Sequence, residues 1–220
     1  MLLLLRGHLR ESFSNTRLYD LVNSIYSIDN SLKIYIHTWN VYANNRSWRQ
    51  IKENSSPVTR EVLDSYFGDL AHLIVDVMID DDTKIQLTGK LDGNVSGSGT
   101  PIRGWKNYWY GKFKLIERVQ ESEDMIVNCR FDILENNPDP VNMCSKEEIL
   151  RFIQANLGKT FTRNVFIRNQ ATNGIDNIYI GNAKTLYTLI HKFHHSLDTI
   201  LQENYTTNPE QLVFKLNMNT

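Results

Sequence analysis

The spacing of apolar residues changes several times along the chain, and each change marks an element. Leu2 to Leu5 is an unbroken apolar run, as expected of a strand covered on both faces of a parallel sheet. It gives way to a polar break, Arg6-Gly7-His8-Leu9-Arg10. Leu18, Leu21, Val22, Ile25 and Tyr26 then recur at helical spacing, with Ser14 or Asn15 as the cap. Lys33 to His37 is β-branched and aromatic, a second strand that ends in Thr38-Trp39-Asn40. Thr59 to Gly68 predicts a short helix with Thr59 as N-cap. Leu73 to Ile79 predicts a further strand, closed by Asp80-Asp81-Asp82, with Lys84 to Leu87 as a return strand.

Gly89 to Gly104 holds five glycines and Pro101, so it reads as a loop. Trp105 to Val119 is helical by pattern, with Trp109, Phe113, Ile116 and Val119 on one stripe. Met125 to Cys129 predicts a strand that leads into Arg130-Phe131-Asp132. Ser145 and Glu148 have the spacing of a capping box for a helix ending near Asn156. Phe166 and Ile178 to Ile180 mark short late strands, Ala183 to Asn204 a long helix, and Leu212 to Leu216 a short strand or helix. Strands alternating with helices predict an α/β fold whose mainly parallel central sheet is flanked by helices. Ligands of such sheets lie beyond the carboxyl ends of the strands, near a switch in strand order. Residues just after strands therefore carry the most functional weight.

Composition narrows the classes. With 41% hydrophobic residues in 220, the chain can bury a core, which excludes disorder. A formal net charge of −1 without a basic stripe gives no reason to expect a nucleic-acid partner. An anionic ligand must then be held by local donors rather than by the field of the whole molecule. Cys129 and Cys144 have no metal-site spacing, and two free thiols fit a reducing compartment. Met1 to Leu5 is too short for a signal sequence, and no run is long enough to span a bilayer, so the cytoplasm is the expected location.

Six segments, in order along the chain, resemble the nucleotide-sugar glycosyltransferases of bacterial capsule and lipopolysaccharide gene clusters and of large algal viruses. They are Leu5-Arg6-Gly7-His8-Leu9-Arg10, Ile36-His37-Thr38-Trp39-Asn40, Trp105-Lys106-Asn107-Tyr108-Trp109-Tyr110-Gly111, Ile126 to Asp132, Asp176 to Asn182, and Pro209-Glu210-Gln211-Leu212. The resemblance implies a GT-A-like, Rossmann-related fold in one domain, with residues 1–132 as the nucleotide-sugar half and 133–220 as the acceptor half. It also implies a nucleotide-diphosphate sugar donor, commonly UDP-linked, a glycan acceptor as in polysaccharide synthesis, and a divalent metal, Mn²⁺ or Mg²⁺. Two departures stand out. His8 replaces the family's usual amide, and Arg130-Phe131-Asp132 supplies one carboxylate where the standard metal motif of the fold has two.

Glycosyl transfer needs the diphosphate neutralised, the donor held and an acceptor hydroxyl activated. Asp132, just after a buried strand, is the first candidate for a metal carboxylate, against a role in capping a turn or pairing with Arg130. Asp80 and Asp82 are the rival pair, against a solvated acidic turn. Donor contacts are expected from Arg6, Gly7, His8, Arg10, Thr38, Trp39, Lys106, Asn107 and Arg130, although Trp39 reads equally as core. Asp176 is the candidate general base, with turn capping as the alternative. His194 and His195 are adjacent on a helix, so they face different ways. Two other classes stay open: a binding module without turnover, and a phosphoryl-transfer enzyme using Asp80 to Asp82, for which no P-loop or kinase signature is present.

Overall fold

The computed structural model of the chain describes residues 1–44, 52–95, 99–134, 144–167, 176–205, 207 and 209–218. Its centre is strand β1 (Leu2–Arg6), buried along its whole length. Leu3 and Leu5 enter one core while Leu2 and Leu4 enter the other. Alternation across a pleat thus explains why no polar residue interrupts the run. Each such leucine contributes about 1.5–3 kcal/mol on burial.

Helix α1 (Arg17–Ile28) leads to β2 (Lys33–Trp39), which pairs in parallel with β1. Asn15 does bond the first turn of α1, its Oδ1 accepting from the Arg17 N–H at 3.0 Å, although the boundary residue is Thr16. A short antiparallel pair, β3 (Val41–Ala43) and β4 (Asn54–Pro57), follows; the hydrophobic pattern gave no sign of it. Helix α2 (Arg60–Phe67) has the predicted cap, with Thr59 Oγ1 accepting from the Val62 N–H. Strand β5 (Ile74–Asp80) then joins β2 in parallel.

Lys84 to Leu87 is not a strand. The N–H groups of Lys84 and Ile85 both bond to Asp81 O, and the Asp81 carboxylate accepts from the backbone and hydroxyl of Thr83. These local bonds use up groups that a ladder would need. Helix α3 (Ile102–Val119) begins earlier than Trp105 because Pro101, with φ −60°, serves as its N-cap. Strand β6 (Ile126–Arg130) crosses to the other side of β1 and pairs with it in parallel. Helix α4 (Lys146–Gln154) is capped by Ser145, whose hydroxyl accepts from the Glu148 N–H.

Strands β7 (Val165–Phe166) and β8 (Ile178–Gly181) finish the sheet antiparallel, in the order β5-β2-β1-β6-β8-β7. Strands from both sides of residue 132 therefore share one sheet. Helix α5 (Ala183–Glu203) starts with a capping box of Asn182 and Thr185, and α6 (Pro209–Met218) resolves the last apolar run as a helix. One core contains residues of α1, α2 and α4; the other contains residues of α3, α5 and α6, with Trp109 stacked on Phe193 at 4.1 Å. Among the described residues, no helix is long and apolar enough to cross a membrane.

Candidate functional site

Growth of the sheet reverses at β1, with β2 and β5 added on one side and β6 on the other. The carboxyl ends of the strands beside such a reversal, here β1 and β6, are where α/β sheets bind ligands. The register sets Arg6 beside both His37 and Arg130 at this edge. The chain then turns at Gly7, whose φ of +104° suits glycine alone, and the turn is braced by Thr38 Oγ1 donating to Gly7 O at 2.9 Å. Thr38 is fully buried and serves that brace. Arg10 has a φ of +50°, which costs a non-glycine residue about 1–2 kcal/mol. Its guanidinium reaches back to Asp132 Oδ2.

Asp132 is enclosed by cations. Arg130 Nε donates to Oδ1 at 2.6 Å, and Nη2 of Arg130 and Nη1 of Arg10 both donate to Oδ2. Burial works against the Arg130 charge, but the Asp132 carboxylate outweighs it and holds that pKa above its ordinary value. Arg130 Nη1 also donates to Asn177 Oδ1 at 3.1 Å. Arg6, buried, donates through Nε to Asn128 Oδ1 at 3.2 Å and through Nη2 to the Tyr108 hydroxyl at 3.0 Å. That hydroxyl in turn donates to Asp176 Oδ2 at 2.6 Å.

Lys112, on α3, is the residue that sequence reasoning missed. Its side chain is fully buried, and Nζ lies 4.0 Å from the ring centroids of Tyr108 and Trp109 and 4.9 Å from that of Tyr179. Burial first, and Arg6 second, push its pKa well below the ordinary value. Among the described residues, Lys112 Nζ, Asn128 Nδ2 and the Tyr179 hydroxyl have no hydrogen-bond partner, and no carboxylate pairs with Arg6 or Lys112. Buried charges are ordinarily paired. A signal was present: Ile102, Trp105, Trp109, Ile116 and Val119 fall at alternating steps of three and four, and Lys112 occupies the remaining place on that seam.

His8, its ring centroid 5.9 Å from that of Trp39, is within electrostatic reach of Arg10, Arg130 and the Asp132 carboxylate. Burial, then Arg10, lowers its pKa to about 3, and Nε2 has no hydrogen-bond partner among the described residues. Next along the edge, His37 Nε2 meets Asp80 Oδ2 at 3.1 Å, and the Tyr110 hydroxyl donates to the same oxygen at 3.0 Å. Burial keeps His37 below its ordinary pKa despite Asp80. Trp39 packs edge-on against His37 at 5.0 Å, so it belongs to the core. The α3 helix approaches here because residue 111 is glycine: a Cβ would lie 2.7 Å from His37 Nδ1.

The remaining candidates sit elsewhere. Lys106 is spent on Asp198 at 2.9 Å and on Thr88 O, which ties the 88–90 segment to α5. Asn107 is buried on α3. The three consecutive aspartates diverge: Asp80 joins His37 and Tyr110, Asp81 closes the turn with Thr83 and Lys84, and buried Asp82 accepts from Asn44. His194 stacks on Phe113 at 4.3 Å, and burial holds its pKa at about 4. A cleft of about 200 Å³ lined by Lys33, Glu117 and Asp124 opens at the opposite edge of the sheet, by the amino ends of β1 and β2.

Both oxygens of Asp132 already accept from guanidinium groups, and among the described residues no three His, Cys, Asp or Glu side chains converge to hold a metal. The chain matches no protein-family model and no curated protein.

Proposed function

We propose that the chain is a glycosyltransferase, a GT-A-like variant of this α/β fold, moving a sugar from a nucleotide-diphosphate donor to a hydroxyl of a glycan. The observation that supports it is a pair of buried basic side chains, Arg6 on β1 at the switch point of the sheet and Lys112 on α3 over it, neither in an ion pair with a carboxylate among the described residues. A diphosphate supplies the missing negative charge, and guanidinium groups bind phosphate in forked pairs of hydrogen bonds. Four of the six family-like segments contribute Arg6, Arg10, Lys112's neighbours Tyr108 and Trp109, Arg130 and Asp176 to this one region.

In the transfer, the bond from the anomeric carbon to the β-phosphate oxygen breaks and its electrons leave with the phosphate. A bond forms from the acceptor oxygen to that carbon, and the acceptor hydroxyl loses its proton. Asp176, the sequence candidate for that proton, is enclosed and holds the Tyr108 hydroxyl. We assign the proton to His8 instead, whose Nε2 is unpartnered among the described residues. Burial first, then the charges of Arg10 and Arg130, weaken this base, and a bound diphosphate offsets the charge contribution.

Thermal shift against UDP-, GDP- and CMP-sugars tests the reading, since a ligand that binds only the folded state raises Tm. One carrier class should stabilise the protein and Arg6→Met should abolish the shift. Turnover with a glycan acceptor should then fall on the order of 10²–10⁴-fold in His8→Gln with KM little changed. Absence of a shift with every nucleotide sugar defeats the proposal.

A further inference from the structure

We infer that His191 and His195 form a two-imidazole chelate on the outer face of α5 that binds Cu²⁺ in preference to Zn²⁺, with water in the remaining positions. The site is separate from the sheet edge described above and does not depend on the nucleotide-sugar reading. The two residues stand four positions apart on α5, so their side chains leave the same face one turn apart. Both are exposed, so an ion reaches them directly from solvent. Their ring centroids lie 4.4 Å apart. With a metal–nitrogen bond of about 2.0–2.1 Å and a ring centre about 1.1 Å beyond the nitrogen, imidazoles at right angles on one ion have centroids about 4.5 Å apart, against about 5.2 Å in a tetrahedral set. The spacing fits adjacent positions of a tetragonal site, the geometry of Cu²⁺, which also heads the affinity order for nitrogen ligands.

Aromatic neighbours hold both rings before any ion arrives. Phe113 of α3 meets His195 edge-on at 5.0 Å, and Tyr187, one turn earlier on α5, lies against His191 at 5.2 Å. Rings already confined lose less freedom when they bind. His194 is turned to a different task, stacked flat on Phe113 at 4.3 Å. Burial first, then His195 and His191, hold its pKa at about 4, so it adds no positive charge beside the pair at neutral pH. Asp198, the next carboxylate on the helix, lies beyond a break at Ser196 (φ −119°, ψ 20°) and is spent on Lys106. Since no third His, Cys, Asp or Glu completes the set among the described residues, the chelate leaves positions open to water.

The test is titration of CuSO₄ and of ZnSO₄ into the whole untagged chain, followed by calorimetry, with electron paramagnetic resonance on the copper-loaded protein. Cu²⁺ should bind more tightly than Zn²⁺ and give a tetragonal spectrum with nitrogen coupling. His191→Asn and His195→Asn should each weaken Cu²⁺ binding about tenfold or more, while His194→Asn stays within about threefold of wild type. A wild-type chain that binds no Cu²⁺, or binds it without nitrogen coupling, overturns the inference. So do His191→Asn and His195→Asn proteins that bind as well as wild type, or a His194→Asn protein that loses as much as they do. The wild-type spectrum needs no variant, so it keeps the inference open to refutation even if a substitution disturbs the fold.

Discussion

Replacing Lys112 by methionine should make the ligand-free protein more stable. The lysine holds an ammonium in a fully buried position with no hydrogen-bond acceptor among the described residues, and an unsatisfied buried group costs about 1–3 kcal/mol, more when charged. Contact with the rings of Tyr108, Trp109 and Tyr179 returns part of that, at roughly 0.5–2 kcal/mol for a desolvated cation–π contact. Methionine keeps the length and recovers about 0.3–1.5 kcal/mol from sulfur against aromatic rings. The expected gain is on the order of 1–2 kcal/mol, or roughly 2–8 °C in Tm for a chain of this size.

pH provides an internal control. Because the folded-state pKa of Lys112 lies below its ordinary 10.5, the unfolded chain binds the extra proton between the two values. Wild-type stability therefore rises with pH across that window, and the advantage of Lys112→Met is largest below it and closes toward 10.5. Differential scanning fluorimetry of both proteins over a pH series measures this. A lower Tm in the variant, or a gap that widens as pH rises, refutes the reasoning.

Other outcomes follow from the same geometry. His8 and His194 have folded-state values of about 3 and about 4 against an ordinary 6.5, so the folded protein refuses protons that the unfolded chain accepts. Their stabilising contribution is complete above 6.5 and falls away as pH drops through those values; urea midpoints should decline less steeply in His8→Gln, and parallel declines would contradict this. Gly111→Ala should destabilise, because crowding against buried His37 costs about 1–3 kcal/mol while helix propensity returns about 1 kcal/mol; a rise in urea midpoint counts against the close approach. Thr59→Ala should lose about 1 kcal/mol through the cap on α2, with Thr59→Ser restoring most of it.

Much of the sheet was legible because its strands are apolar on both faces. Leu2 to Leu5, Lys33 to His37 and Met125 to Cys129 read as strands from residue type alone; the rule for carboxyl ends singled out Arg6 to Arg10, Thr38 to Asn40, Asp80 to Asp82 and Arg130 to Asp132 as candidates, and the structure sets Arg6 beside Arg130 and Arg10 against Asp132. What pattern could not give was which charge opposes which. Asp132 was expected to meet a cation, and in the structure those cations are guanidinium groups. Lys106 and Lys112 differ by six positions on one helix, yet the first finds Asp198, distant in sequence, and the second has no hydrogen-bond partner among the described residues. That difference depends on tertiary contacts which neither residue's neighbours encode. The misreading of Lys84 to Leu87 had a local cause, since Asp81 and Thr83 divert the backbone into a turn.

The backward bend at Arg10 links the loop to its charges. With φ at +50°, the residue tolerates an uncomfortable backbone while its guanidinium meets Asp132. Glycine would relax the bend and forfeit the charge, so the position trades local ease for electrostatic reach. The bend also sets the path of the chain from Gly7 into the 3₁₀ turn at Arg10–Phe13, so that turn and the Asp132 contact hang on one backbone conformation.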